Sequence, residues 1–182
     1  MMIARFFFDP VFYFYMFWIP QYLSRERGMS LAEIGNLTWI PFFALGVTNI
    51  AAGRLSDGLV HAGWQPRRAR LTLMLAAALL TPASWLAVTA GTAHAAIGLM
   101  SVLMFAHGIW IANFITLIGD TVAADEVGTA VGLTGAAGGI AGMLSNLAVG
   151  PAVDQYGFAP AFLVSALLYP TAWLIIAAKG KK

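Results

Sequence analysis

The sequence contains no cysteine and few charged residues. None of its 182 residues is Cys, and only 10% are Asp, Glu, Lys or Arg. The absence of thiols excludes disulfides, thiolate metal ligands and cysteine nucleophiles. The scarcity of charge excludes a soluble enzyme, a nucleic-acid-binding module and a disordered protein, because soluble domains carry about 25% charged residues. We expect neither a metal nor any other cofactor.

The chain is instead rich in apolar residues. Hydrophobic residues make up 60% of the sequence, and the mean hydropathy is +0.79. A soluble domain of this length leaves roughly 30% of its unfolded surface in water, which is too much for so apolar a chain. A lipid bilayer accommodates it, because one span needs about 20 apolar residues and six spans need about 120. The sequence therefore predicts an all-α integral membrane protein.

Six apolar segments of near-spanning length define the expected helices. They lie at about 6–23, 31–52, 71–90, 95–118, 127–149 and 158–178, with charged or turn-forming residues between them. No linker or low-complexity stretch interrupts the series. We therefore expect a single six-span membrane domain over residues 1–182.

The basic residues near the span ends set the expected orientation. If the chain starts in the cytoplasm, the cytoplasmic side holds Arg5, Arg54, Arg67, Arg68, Arg70, Lys179, Lys181 and Lys182, and the outer side holds Arg25 and Arg27. Short connections rich in Lys and Arg stay on the cytoplasmic side of a membrane. We expect a multi-pass protein of a bacterial-type inner membrane with both termini in the cytoplasm.

A short internal repeat indicates how the six spans are organised. Span two starts with E-I-G at 33–35 and ends with G-R-L-S-D at 53–57, while span five starts with E-V-G at 126–128 and ends with G-P-A-V-D at 150–154. The chain crosses the membrane three times between the two copies, so the second copy is inverted. This 3+3 inverted repeat is typical of one six-helix half of a secondary transporter.

Several stretches resemble the major facilitator superfamily. G-R-L-S-D at 53–57 followed by RRAR at 67–70 is similar to its short cytoplasmic loop motif, although Gly58 stands where the motif usually has Arg. The stretches DPVFYFYMFWIPQYL, AHGIWIANFITLIGD and VGTAVGLTGAAGGIAG resemble its anion:cation symporter family, in particular the hexuronate and aldonate transporters. The likeness covers nearly the whole chain but matches only their second half.

This resemblance implies a function and a partner. It implies a secondary active transporter of a sugar acid or another organic anion, present as the C-terminal half and completed by a missing N-terminal six-helix half or by a second copy. The family's proton-coupling residues would then lie in the missing half. A non-transporting truncated remnant or a membrane scaffold is the alternative.

Other six-span classes find little support in the sequence. An intramembrane serine protease needs a Ser in a G-x-S-x context, and Ser84, Ser101, Ser145 and Ser165 all lack it. A channel needs a re-entrant filter or a ring of polar residues, and neither pattern is present. We therefore expect no enzyme activity.

The loop motif supplies candidate gating residues. Asp57, with Gly53 before it, can pair with nearby basic side chains and hold two helices in one conformation. The candidate partners are Arg54, Arg67, Arg68 and Arg70. For these arginines the alternative is a solvated loop that only fixes topology.

Polar and aromatic residues inside the spans supply candidate substrate contacts. In span four these are Trp110 and Asn113, with His107 and Thr116 as further candidates; in span one they are Tyr13 and Tyr15. Indole, amide and hydroxyl groups suit sugar hydroxyls or a carboxylate, and polar groups inside a membrane are costly without partners. The alternatives are hydrogen bonds between helices, core packing and, for the tyrosines, an aromatic belt at the membrane surface.

Asp9 is the only acid within an apolar run, and two interpretations remain open. Arg5 lies one helical turn earlier and can pair with it, and Asp9 can also cap a helix that begins at Pro10. The other interpretation is a role in binding substrate or a proton. Arg5 itself is assigned to the cytoplasmic side, so we expect no Arg within the membrane.

Two further patterns predict local structure. Ser30 and Glu33 form a Ser-x-x-Glu capping box before span two. Span five carries the GxxxG pairs Gly135–Gly139 and Gly138–Gly142, which permit close contact between membrane helices. Helix bending or contact with a ligand is the alternative role for these glycines.

Overall fold

The computed structural model describes residues 1–178, and over this range the chain forms eight α-helices and no strand. They are α1 (Met2–Arg27), α2 (Leu31–Leu37), α3 (Trp39–His61), α4 (Pro66–Leu80), α5 (Ala83–Thr89), α6 (Ala93–Gly119), α7 (Val127–Tyr156) and α8 (Ala159–Ala178). Because α2 joins α3 and α4 joins α5 within single spans, the described residues contain six helices long and apolar enough to cross a membrane.

The helices pack as two interlocked units of three spans. The first unit is α1, α2–α3 and α4–α5, and the second is α6, α7 and α8. The first helix of each unit packs on the second and third spans of the other: α1 contacts α7 and α8, while α6 contacts α3 and α4–α5. This reciprocal packing is that of a 3+3 inverted repeat, as the sequence predicted.

The core lies around α1 and α6 and is largely aromatic. The ring of Phe8 on α1 makes edge contacts with Trp110 and Phe114 on α6, at 5.4 and 4.9 Å between centroids. Trp110 in turn meets the ring of Tyr169 on α8 at 5.1 Å. By contrast, α3 and α7 keep many large apolar side chains exposed, among them Phe43, Ile50, Ile140 and Leu147. Those surfaces are available to lipid or to another protein domain.

Glycines allow two pairs of helices to approach closely. A Cβ at Gly108 of α6 would overlap with the Thr48 side chain and the Leu45 backbone of α3. On α7, a Cβ at Gly138 or Gly142 would overlap with side chains of α1. The predicted packing role is therefore confirmed for Gly138–Gly142, whereas Gly139 has no such neighbour within 4 Å.

Several helices extend beyond the segments predicted from the sequence, and two of these differences affect candidate residues. The stretch 53–57 does not lie in a loop, because α3 continues to His61 before the chain turns. Nor does Asp9 cap a helix that begins at Pro10, because α1 begins at Met2 and contains Pro10. Neighbouring helices and side chains can compensate in a membrane for the backbone bond that an internal Pro removes.

The predicted capping box at the start of α2 is confirmed. The Ser30 hydroxyl accepts from the Glu33 backbone N–H at 3.3 Å, and the Glu33 carboxylate accepts from the Ser30 backbone N–H at 2.8 Å. The box fixes the point at which the chain re-enters the bundle after α1.

Candidate functional site

Three candidate residues of α6 lie together in the interior of the bundle. His107, Trp110 and Asn113 are buried, and the rings of His107 and Trp110 contact α1 and α8. A ring nitrogen of His107 shares a hydrogen bond with the Tyr169 hydroxyl on α8, and the Phe12 ring of α1 stacks on the imidazole at 5.1 Å. Tyr169, which no sequence motif indicated, therefore links the candidates of α6 to the third span of their own unit.

Some polar atoms of this interior lack hydrogen-bond partners. Within residues 1–178, the Trp110 indole N–H, the Asn113 amide oxygen and the Tyr15 hydroxyl are buried and unpaired. The Asn113 amide nitrogen donates only to the Ile109 carbonyl of its own helix, at 2.9 Å. A buried polar group without a partner costs about 1–3 kcal/mol. These three groups are thus chemically suited to receive the polar atoms of a ligand.

Two other candidates lie apart from this interior cluster. The Tyr13 ring packs against Gly142 of α7, on another side of α1. Thr116 is half-buried on α6, and its hydroxyl donates to the Ala112 carbonyl at 2.8 Å. The structure therefore brings His107 and Trp110 together around Tyr169 but does not bring Tyr13 or Thr116 to them.

A charge cluster closes the end of the bundle at which α3 ends and α4 begins, called here the basic end. The Arg70 guanidinium lies 2.8 Å from the Asp57 carboxylate of α3 and 3.3 Å from the Asp120 carboxylate that follows α6. It also donates to the Ser56 hydroxyl, and its side chain is only 7% exposed. One arginine of α4 thus connects α3 with the end of α6.

The remaining basic candidates make other contacts. Arg67 donates to the Ile176 carbonyl of α8 at 3.0 Å, and the Arg68 guanidinium stacks over Trp64 at 4.9 Å. Arg54 is exposed, and the Gly53 carbonyl accepts from the Ser56 hydroxyl at 3.1 Å. Of the four arginines considered from the sequence, Arg70 is the partner of Asp57. Asp120 was missed, although it is the first charged residue after span four.

A second charged pair lies between α1 and α7. Arg5 Nε is 2.9 Å from an Asp9 carboxylate oxygen, and Arg5 Nη1 is 3.3 Å from the Thr134 hydroxyl of α7. The pairing of Arg5 with Asp9 is confirmed. That no Arg lies within the membrane stays a prediction, although Arg5 lies inside α1 and its side chain is only 16% exposed.

At the opposite end, an arginine binds the last turn of α5. Arg27 donates to the carbonyls of Ala87, Val88 and Ala90 at 2.7, 2.9 and 2.7 Å, and to the Tyr22 hydroxyl at 2.7 Å. It thereby satisfies carbonyls that the helix end leaves without partners. Within residues 1–178, no group of His, Asp and Glu side chains is arranged to hold a metal ion.

A six-span bundle built as an inverted repeat, with unpaired polar groups in its interior and a charge cluster at one end, defines a domain of the secondary transporter class. The chain belongs to the Major Facilitator Superfamily, because the model of that family matches residues 1–180. This confirms the resemblance expected from the sequence motifs.

Curated relatives are named as transporters of sugar acids. The chain is 30% identical over 155 residues to the D-galactonate transporter of Escherichia coli O6:H1, covering 83% of this chain and 35% of that protein. It is 29% identical over 169 residues to the hexuronate transporter of Escherichia coli K12, covering 91% and 38%. A probable galactarate/D-glucarate transporter of the same strain is 25% identical over 183 residues, covering 98% and 41%. The chain thus spans well under half the length of these relatives.

Proposed function

We propose that the chain is the C-terminal six-helix half of a secondary active transporter for a sugar acid or a related organic anion. The observation that supports this most is the combination of coverages: the likeness extends over most of this chain but over only 35–41% of the named sugar-acid transporters. We infer a bacterial-type inner membrane with both termini cytoplasmic from the distribution of Lys and Arg.

The proposal requires a second domain. Transporters of this architecture bind substrate between two repeats or halves, and one half supplies only one side of the cavity. The exposed apolar side chains of α3 and α7 support a partner domain on these helices. An N-terminal six-helix half or a second copy of this chain would complete the cavity.

Substrate contact is assigned to Trp110 and Asn113, with Tyr15 as a further contact. Their unpaired N–H, carbonyl and hydroxyl groups match the hydroxyl and carboxylate groups of a sugar acid. His107 belongs to the same interior and holds Tyr169, whereas Tyr13 and Thr116 are the less supported contacts because they lie apart from this cluster.

The basic end is assigned to gating. Arg70 joins Asp57 of α3 to Asp120 after α6, so its contacts must break if these helix ends separate. A charge cluster of this kind can hold one conformation of a rocking transporter and release it in another. Gly53, Arg54, Arg67 and Arg68 flank the cluster rather than form it.

Uptake measurements test the transport proposal. The 182-residue chain is reconstituted in proteoliposomes alone, and together with the N-terminal half of a relative, and accumulation of labelled D-galactonate and D-glucuronate is followed. We expect accumulation only with the second half present. Accumulation by the single chain would indicate a functional homodimer, and no accumulation in either preparation would favour a remnant or scaffold.

Reporter fusions test the orientation. Fusions after Gly28, Gly63, Thr92, Asp125, Gly157 and Lys182 are expected to report outside, inside, outside, inside, outside and inside. A reporter outside the cytoplasm at Lys182 would contradict the proposed orientation.

A further inference from the structure

A groove with a charged entrance and an apolar floor lies between α4 and α8 at the basic end, called here the α4–α8 groove. It has a volume of about 290 Å³. Arg67 and Arg68 of the first turn of α4 line its entrance, and Leu71 and Leu75 of α4 and Trp173 of α8 line the rest. The described residues around it belong to α4, α8 and the residue before α4, so the groove is separate from the candidate substrate contacts on α1 and α6.

The α4–α8 groove leads from the membrane surface into the hydrocarbon. Arg67, Leu71 and Leu75 are spaced by four residues and therefore lie on one face of α4. Arg67 is the second residue of its span, which begins at Pro66. The eight residues from Arg67 to Leu75 rise about 12 Å, which is most of one leaflet of a hydrocarbon layer about 30 Å thick. The charged entrance thus lies at the surface and the leucines lie below it.

Two hydrogen bonds between α4 and α8 fix the walls of the groove. The Trp173 indole N–H donates to the Leu71 carbonyl at 2.9 Å, and Arg67 donates to the Ile176 carbonyl at 3.0 Å. The opposite face of α4, with Arg70 and Met74, is buried in the bundle. The helices are therefore held at two levels before any ligand binds, which lowers the entropic cost of binding.

The two arginines at the entrance have no internal counter-ion. Within residues 1–178, no carboxylate is in ion-pair distance of Arg67 or Arg68. Arg67 gives one of its five N–H donors to Ile176, and the Arg68 guanidinium stacks over Trp64 at 4.9 Å. Three more basic residues follow α8 in the sequence, outside the described residues: Lys179, Lys181 and Lys182. The entrance therefore offers positive charge and N–H donors to an external anion.

The pattern of charge above apolar side chains matches an amphiphilic anion. Arginine binds phosphate through two parallel N–H groups. Leu71 is buried and Leu75 is half-buried, and an acyl chain laid against them would cover further apolar surface. Basic pockets between membrane helices on the cytoplasmic side are typical sites for anionic lipid headgroups. A small soluble anion, by contrast, has no apolar part for the floor of the groove.

We propose that the α4–α8 groove binds an anionic phospholipid. The phosphate lies between Arg67 and Arg68, and one acyl chain extends along Leu71 and Leu75 and against Trp173. This site needs neither a second domain nor a transported substrate, so it is independent of the proposed sugar-acid function.

Native mass spectrometry of the full chain in a mild detergent tests the site. The chain is titrated with phosphatidylglycerol and with phosphatidylcholine of the same acyl chains. We expect phosphatidylglycerol to bind at least about tenfold more tightly than phosphatidylcholine, whose headgroup has no net charge. Arg68→Gln should weaken phosphatidylglycerol binding about fivefold, and Arg67→Gln combined with Arg68→Gln should weaken it at least about tenfold. Binding of phosphatidylcholine should not change.

A matched control separates a built site from general attraction. Arg54→Gln removes the same charge from an exposed position of α3 near the basic end and should leave phosphatidylglycerol binding unchanged. A loss in Arg54→Gln as large as that in Arg68→Gln would overturn the proposal. Equal binding of the two lipids by the unchanged chain would also overturn it.

A soluble competitor and a folding check complete the test. Glycerol 3-phosphate carries the phosphate without acyl chains and should not displace the lipid; displacement would assign the groove to a soluble anion instead. Circular dichroism reports whether each variant is folded. If the double variant loses its helices together with the Arg67–Ile176 hydrogen bond, Arg68→Gln alone decides the outcome, because Arg68 is exposed and donates no hydrogen bond to another residue of 1–178.

Discussion

The inverted repeat makes two helix interfaces equivalent, and their chemistry differs. Where α6 meets α3, the contact is neutral: Gly108 admits the Thr48 side chain, whose hydroxyl lies 3.0 Å from the Phe105 carbonyl. Where α1 meets α7, the same close approach holds the charged Arg5–Asp9 pair on Gly138. A packing requirement alone accounts for the first interface but not for the second. The two equivalent interfaces therefore share a close approach but differ in charge.

Removing one member of the ion pair should have the largest effect on stability. Breaking a buried pair leaves an uncompensated charge and costs about 3–5 kcal/mol. We expect Arg5→Gln to lower the melting temperature of the detergent-solubilised chain by roughly 6–20 °C, at about 2–4 °C per kcal/mol. Melting is followed by circular dichroism or intrinsic fluorescence.

A double-mutant cycle shows whether this cost belongs to the pair. Arg5→Gln combined with Asp9→Asn should cost less than the sum of the two single changes, because the double variant leaves no unpaired charge. Strictly additive effects would show that the two side chains do not interact and would remove the distinction between the interfaces.

Adding one methyl group at the glycines should have the next largest effect and should distinguish the interfaces. At Gly108 the new Cβ meets the Leu45 backbone, which cannot move without shifting α3. At Gly138 it meets the end of the Asp9 side chain, which can rotate away. Overpacking costs about 1–3 kcal/mol, and we expect Gly108→Ala near the upper value and Gly138→Ala near the lower.

The melting temperatures of three variants provide the measurement. Gly139→Ala serves as the control, because a Cβ there has no such neighbour within 4 Å. If Gly138→Ala destabilises more than Gly108→Ala, then the Asp9 side chain is held rigidly at the α1–α7 interface.

The fold could be predicted from the sequence further than the site could. Composition and periodicity indicate six spans, because hydrocarbon length sets the number of apolar residues per crossing. They do not indicate side-chain partners: Asp57 had four arginines within reach, and only the bend between α3 and α4 brings Arg70 to it. Asp9 was assigned its partner correctly, because residues four apart on a helix are neighbours.

The burial of Arg5 could not be predicted for a different reason. Because Arg5 lies near the start of the chain, it was counted among the basic residues that set the orientation. Only the contacts with Gly135 and Gly138 of α7 show where its guanidinium lies. The GxxxG pattern that reveals this face was read from the sequence as a packing signal. The pattern also makes room for a charged pair. This second role can be predicted only when the helix that packs on the pattern is known.

Removing one hydrogen bond at each interface should have the smallest effect on the melting temperature. The Trp18 indole N–H donates to the Asn146 amide oxygen of α7 at 2.7 Å, and Trp18→Phe removes this donor while keeping an aromatic ring. The amide oxygen then loses a direct partner, so we expect a cost of about 1 kcal/mol.

At the other interface, Thr48→Val removes a hydroxyl whose acceptor, the Phe105 carbonyl, lies inside α6 and can keep its helical bond. That change should cost about 0.5 kcal/mol or less, and the two melting temperatures should differ by about 1–2 °C. A larger cost for Thr48→Val would show that the neutral interface depends on its hydroxyl as much as the α1–α7 interface depends on its polar contacts.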